Sequence, residues 1–271
     1  DLKEEDVVEK LFIASTLSHL LVFTSLGKVH WLRVFAIPDA SRIAKGKSIA
    51  NLLNLQPGES IASVLSVREF EEDKFVMVAT ERGVVKKTSL MAYSKPRQGG
   101  VIGLTIDDGD RLIGAELCDG ESDILLATAK GFSIRFSEKE ARPIGRTGRG
   151  VKGIRLKADD VVVGAEIVHP GNMLLTVTSN GYGKRTQLEE YPVQGRGGLG
   201  VMTIRCNEKI GMVVGIQQVT ETDELLVITS DGNIVRMKVN EISVIGRNTQ
   251  GVRLVGTGES NQVVSVEKLV E

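Results

Sequence analysis

The sequence predicts an all-β fold of repeated, blade-like modules, and three observations predict it. Of 271 residues, 41% are hydrophobic but only 4% aromatic, 30 are Gly, and Val, Ile and Leu recur in short runs, which favours many short strands over long helices. Five segments share one pattern: HLLVFTSLGKV, KFVMVATERGVV, DILLATAKGFSI, NMLLTVTSNGYGK and ELLVITSDGNIV. Each has an apolar run, a small polar turn ending in Gly, and a second run carrying basic residues. The turn glycines Gly27, Gly83, Gly131, Gly181 and Gly232 lie about fifty residues apart, the period of a propeller or solenoid repeat, and no convincing long amphipathic helix interrupts them.

The first element of each repeat is a β-hairpin, because S-N-G, S-D-G and A-K-G supply the positive φ of a tight strand connection. The second is a glycine before Val: Gly100, Gly150, Gly200 and Gly251 in GGVIGL, GRGVKGI, GLGVMTI and TQGVRLV, with Gly46 at the same place in the first repeat. The third is another strand, as in DRLIGAEL, DVVVGAEI and GMVVGIQQV. Together these pieces predict a module of about four strands. A module this small cannot bury its apolar face alone, so several must pack together.

The totals exclude several classes. No apolar run approaches the roughly 18 residues of a membrane helix, and the charged start DLKEEDVVEK is unlike a secretory signal, so a cytosolic chain is expected. Cys118 and Cys206 stand alone and read as buried thiols. His19, His30 and His169 lack metal-ligand spacing, and no metal is expected. Tyr93 and Tyr191 fall ten residues after a turn Gly, where other repeats have Ile37, Ala141 and Ile242; that marks a packing position. No nucleophile, base and orienting group can be assembled, so no catalytic residue is assigned.

Two runs match the dinucleotide spacing G-x-G-x-x-G: Gly148, Gly150 and Gly153, and Gly195, Gly197 and Gly200. Both lie between a hairpin and more β-sequence, with no helix N-terminus to hold a pyrophosphate. Gly46, Lys47 and Ser48 resemble the end of a P-loop, but Ser41 stands where its first Gly is needed.

The net charge of -1 hides a strong sorting by phase. Stretches from each turn Gly to just beyond the second landmark hold 25 of the 34 basic residues and only 6 of the 35 acidic ones. Four residues after the turn stand Lys87, Arg135, Arg185 and Arg236, with Trp31 the exception; Lys86 and Lys184 stand one residue before this position and Lys238 two after it. The following loops carry Arg42, Lys45 and Lys47; Lys95 and Arg97; Arg146, Arg149 and Lys152; Arg196; and Arg247. One sign recurring at one phase predicts a basic track suited to a polyanion bound along a curved edge. Bending 20 to 30 base pairs of DNA through 40 to 90° costs on the order of 1 to 6 kcal/mol, which calls for a series of clusters. Sequence preference should be weak.

The repeats resemble the C-terminal domain of the DNA gyrase A subunit, part of a bacterial type IIA topoisomerase. KEEDVVEKLFIAS, GKVHWLRVFAIPDASR, RGVVKKTSL, GRTGRGVKGIRL, NGYGKRT and EISVIGRNTQGVRLV carry the resemblance, which runs nearly end to end. It implies a β-pinwheel, a disc of about six propeller-like blades that exchange strands, of which five repeats are visible here. It also implies a single domain spanning residues 1–271 that wraps duplex DNA around its outer edge, so that ATP-driven strand passage yields negative supercoils. ATP and magnesium belong to the rest of the enzyme, leaving no cofactor here. The implied partners are duplex DNA, the gyrase A breakage-reunion domain and gyrase B; an isolated domain would be monomeric.

The family's heptapeptide box, QRRGGKG, lies upstream of the matched region, which makes a fragment lacking the start of blade one the expectation. Its nearest counterpart, QGRGGLG at residues 194–200, has Gly195 and Leu199 in place of two basic residues, so Arg196 could touch phosphate or the loop could be structural. The equivalent domain of topoisomerase IV resembles the same fold, and the repeat length also admits a kelch-like interaction scaffold.

Overall fold

The computed structural model describes residues 14–38, 53, 55–258 and 261–269. Among them every named element is a β-strand or a one-turn 3-10 helix. The five hairpins are β1 (His19–Thr24) with β2 (Lys28–Arg33), β4 (Phe75–Thr80) with β5 (Val84–Ser89), β8 (Asp123–Thr128) with β9 (Phe132–Ser137), β12 (Met173–Thr178) with β13 (Tyr182–Gln187), and β16 (Glu224–Thr229) with β17 (Ile234–Lys238). All five pairs are antiparallel.

One turn is repeated five times. The N–H groups of Gly27, Gly83, Gly131, Gly181 and Gly232 donate to the carbonyls of Thr24, Thr80, Thr128, Thr178 and Thr229, closing four-residue turns. In the first three hairpins the same Thr hydroxyl accepts a second N–H, from Lys28, Val84 and Phe132. The recurring Thr therefore satisfies turn donors that burial would otherwise orphan.

The longer third strands, β3 (Ile61–Val67), β7 (Leu112–Cys118), β11 (Val162–Val168), β15 (Val213–Val219) and β19 (Val263–Leu269), pair with the first strand of each hairpin. Each pairing carries a register shift near the turn, a bulge that increases local twist. The fourth strands are exchanged between neighbouring sheets, as the resemblance to a β-pinwheel implies. The two-residue strands β6 (Val101–Ile102), β10 (Val151–Lys152), β14 (Val201–Met202) and β18 (Val252–Arg253) follow one hairpin but join the sheet of the hairpin before it. The resulting orders are β3-β1-β2-β6, β10-β5-β4-β7, β11-β8-β9-β14 and β15-β12-β13-β18, with the fifth sheet β17-β16-β19. Sequence adjacency hides this exchange because a short edge strand pairs equally well with either neighbour.

The chain divides into two compact units. Unit 1 holds residues 14–121 and 141–151, and unit 2 holds residues 122–140 and those from Lys152 onward. In unit 1, Leu21, Phe23 and Val29 of the first sheet pack on Val76, Val78 and Tyr93 of the second, with the Phe23 and Tyr93 rings edge to face at 5.8 Å. In unit 2, Leu125 and Ala127 pack on Leu174 and Tyr191, and Leu175 and Val177 pack on Leu225 and Val227. The first strands are buried on both faces, which explains their continuous apolar runs. Each buried Val, Leu or Ile contributes about 1.5 to 3 kcal/mol. Tyr93 and Tyr191 are core residues, as their repeat position predicts.

Candidate nucleic-acid interface

The glycine-rich loops that lead into the short fourth strands are built alike. In unit 1 the Arg146 guanidinium donates through Nη1 to the Ile102 carbonyl (3.3 Å). In unit 2 Arg196 Nη1 donates to the Lys152 carbonyl (3.0 Å) and Arg247 Nη1 to the Met202 carbonyl (2.9 Å). Each acceptor is the last residue of the preceding edge strand. A main-chain bond repeats beside it: Thr105 N–H to Gly148 O in unit 1, and Arg155 N–H to Gly198 O and Arg205 N–H to Thr249 O in unit 2. Successive loops within each unit are thus stitched at two points.

Buried lysines hold two of these loops from beneath. Lys86 Nζ donates to the carbonyls of Gly103 and Arg146. Lys184 Nζ donates to the carbonyls of Gly246 (2.6 Å) and Arg247 (2.5 Å) and to Thr249 Oγ1 (3.0 Å). Burial is the main cause that lowers each amine to about 8; the Arg146 charge adds to it at Lys86, while at Lys184 Glu190 opposes it and Arg247 adds to it. Ile134 holds the corresponding place under the QGRGGLG loop, and there Arg196 anchors the loop itself. Its N–H donates to Glu140 Oε2, and its Nε and Nη1 donate to the carbonyls of Glu140 and Lys152. Arg196 is half-buried and largely committed to protein carbonyls.

The strand cations require a correction. Lys86, Lys87, Lys184 and Arg185 are all buried, at 1%, 3%, 0% and 4% exposure, and do not face solvent with the loop residues. Arg185 donates through Nε to the Ile242 carbonyl (2.7 Å) and pairs with Glu221. Arg135 donates to the Leu188 carbonyl (2.9 Å) and to Asp123. Lys87 lies over the Phe75 ring, and Arg236 pairs with Glu224. The exception Trp31 explains the position: its indole N–H donates to the Tyr93 carbonyl (2.8 Å), the repeat equivalent of Ile242. At Trp31, Arg135 and Arg185 a donor at this position ties one repeat to a carbonyl of the next.

Among the described residues, Lys95, Arg97, Arg149, Lys152, Arg236 and Lys238 are exposed, while Arg135, Arg146, Arg196 and Arg247 are half-buried. Arg149 pairs with Asp107, both largely exposed, a contact worth little in water. Arg42, Lys45 and Lys47 lie outside the described residues. Exposed Arg155 and Arg205 were not singled out by sequence reasoning, although their recurrence five residues after Gly150 and Gly200 is the signal that finds them. Neither G-x-G-x-x-G run meets a helix; the first spans the two-residue strand β10 and the second leads into β14. No group of metal-binding side chains occurs among the described residues. None of their helices is long and apolar enough to cross a membrane.

Comparison with known proteins agrees with this architecture. The DNA gyrase A protein from Salmonella typhimurium is 46% identical over 270 residues, covering 100% of this chain and 31% of that protein. The chain thus spans about a third of that relative's length. Among solved structures, the C-terminal domain of DNA topoisomerase IV superposes with a TM-score of 0.85 at 27% identity, covering 94% of this chain and 80% of that one. The DNA gyrase A C-terminal domain gives 0.83 at 25% identity, covering 95% and 84%. The family described as the DNA gyrase C-terminal domain, beta-propeller, matches residues 18–68, 74–119, 122–169, 172–220 and 223–269, one match per sheet-forming repeat. With its all-β, propeller-like blades, this chain belongs to the DNA gyrase C-terminal domain family.

Proposed function

We propose that this chain binds duplex DNA with little sequence preference and bends it along the stitched loops, serving as the DNA-wrapping part of a gyrase A protein. The observation that carries this reading is the loop contact repeated at Arg146, Arg196 and Arg247, which sets exposed cations such as Lys152, Arg155 and Arg205 beside one loop after another. Phosphate contacts of this kind position a duplex without reading its bases. Held in a series, they offset the cost of bending that one or two lysines could not.

Cleavage and ATP hydrolysis then belong to other parts of the enzyme, and this chain contributes no catalytic residue and holds no cofactor. Its protein partners are the breakage-reunion domain of gyrase A and the gyrase B protein, in the cytoplasm. One domain, residues 1–271, performs the wrapping.

Lys152, Arg155 and Arg205 changed together to Gln should weaken binding of a random duplex and lower the slope of log K against log salt by roughly 2 to 3, near 0.9 per lost phosphate contact. Far-ultraviolet circular dichroism should stay unchanged, because all three side chains are exposed. An unaltered slope would reject these loops as the DNA face, and binding that ignores salt altogether would favour a protein-interaction scaffold. A second reading, the equivalent domain of topoisomerase IV, draws support from the 0.85 TM-score. Strong bending in a fluorescence transfer assay favours the gyrase role, and binding with little bending favours the other.

A further inference from the structure

In unit 2, a cleft of about 340 Å³ opens at the turn end of the fourth and fifth sheets. Asn180, Lys209, Ser230, Arg253, Asn261 and Gln262 line it, and no apolar side chain does among the described residues. We propose that this cleft is a binding site for a phosphate-class oxyanion. Lys209 Nζ and the Arg253 guanidinium lie 5.6 and 5.5 Å from the centroid of the same Tyr182 ring. Among the described residues neither has a carboxylate partner, unlike Arg135, Arg185 and Arg236 in the same unit. Both cations line the cleft, so an anion held there meets two positive charges.

The turn bracket supplies an independent argument. In the second repeat Asp110 Oδ1 accepts the N–H groups of Arg82 and Arg111, and in the third Asp160 Oδ1 accepts those of Lys130 and Val161. At the cleft the same bracket is made by a neutral residue: Asn261 Oδ1 accepts the N–H groups of Asp231 and Gln262. Among the described residues lining the cleft with Lys209 and Arg253, the bracket thus carries no carboxylate. The nearby Asp231 carboxylate is turned aside, accepting from the Thr229 hydroxyl and the Asn233 amide. Asn180 Nδ2 donates to the carbonyls of Glu208 (3.0 Å) and Lys209 (3.2 Å), which fixes the Lys209 loop against the cleft. A guanidinium fork, an ammonium and a carboxamide are the donors that bind phosphate oxygens.

Two sources share this chemistry. Arg253 belongs to edge strand β18, so a DNA phosphodiester is one; free phosphate or pyrophosphate is the other. The site does not rest on the DNA-binding reading. The full chain, labelled with nitrogen-15, is titrated separately with inorganic phosphate, pyrophosphate and a short duplex while the amides of Tyr182, Lys209, Arg253 and Asn261 are followed. Saturable shifts are expected with at least one ligand. Asn261→Asp, which places there the carboxylate of the second and third repeats and keeps the bracket, should weaken that ligand about tenfold, as should Arg253→Gln, one charge-assisted hydrogen bond each. Arg82→Gln, at a turn that keeps its Asp110, should leave the affinity unchanged.

Shifts with the duplex alone support the site and assign it to DNA backbone. Shifts with the free ions, undisturbed by duplex, support it as a small-anion site apart from the DNA path. The proposal is overturned if none of the three ligands moves these resonances, or if Asn261→Asp and Arg253→Gln bind as tightly as the unaltered chain. Should the loops fail to bind DNA, the pyrophosphate titration still decides the cleft.

Discussion

Gly200→Ala is expected to cost about 3 kcal/mol or more, whereas Gly195→Ala, in the same G-x-G-x-x-G run, should change stability by less than about 0.5 kcal/mol. Gly200 has φ +73°, and a Cβ there would lie 2.2 Å from the Ser133 carbonyl oxygen and 2.7 Å from its carbon. The left-handed conformation alone costs an L-residue about 1 to 2 kcal/mol. The clash is with backbone, so β14 must leave β9 and give up the pairing of Val201 with Ser133 and Met202 with Phe132. The hydroxyl chain linking Ser133, Thr203 and Tyr191 in the core is then broken as well. At Gly195 nothing lies within 4 Å of the added carbon. Denaturant unfolding of both variants checks the contrast. Equal tolerance would mean that the last glycine is not seating the edge strand on the preceding hairpin.

Replacing Lys184 with Met should destabilise the chain by roughly 2 kcal/mol at pH 7, because the Arg247 carbonyl and Thr249 hydroxyl lose their buried donor. Hydrogen exchange should quicken at the Arg205 amide, which bonds to Thr249 of the same loop. The amine sits near pKa 8 in the fold against 10.5 for the free side chain. Between those values the unfolded chain binds more protons than the folded one, so this residue's contribution to stability grows as pH rises from about 8 to 10.5. The stability gap between the unaltered chain and Lys184→Met should therefore widen across that window, by a few kcal/mol at most. A gap that narrows with rising pH would show that the ammonium is stabilised by the loop, with its pKa raised.

Both variants probe residues whose chemistry invites a different reading from sequence. Glycines at dinucleotide spacing turn out to seat a strand, and a lysine in the middle of a strand carries no outward mark of burial. Lys184 and Lys238 look alike in NGYGKRT and GNIVRMK, yet one is at 0% exposure and the other is exposed. What separates them is the covering chain: residues 243–245 lie on Arg185, through parallel pairing with Val244, and nothing among the described residues pairs along β17 in this way. That cover comes from some sixty residues further on, beyond any local pattern.

By itself, the sequence determined the all-β class, the five hairpins, the turn glycines, the core role of the two tyrosines and the phase at which positive charge accumulates. These are local properties, set by alternation, backbone sterics and repetition, and a period near fifty residues displays each of them five times. Only the tertiary structure decided which hairpin each short edge strand completes, which cations face water and which are spent on carbonyls, and that Lys209 and Arg253 share one ring with no carboxylate partner among the described residues. Those outcomes depend on contacts between segments far apart in the chain, where burial and the need to satisfy buried donors and acceptors choose among placements that residue identity leaves equal.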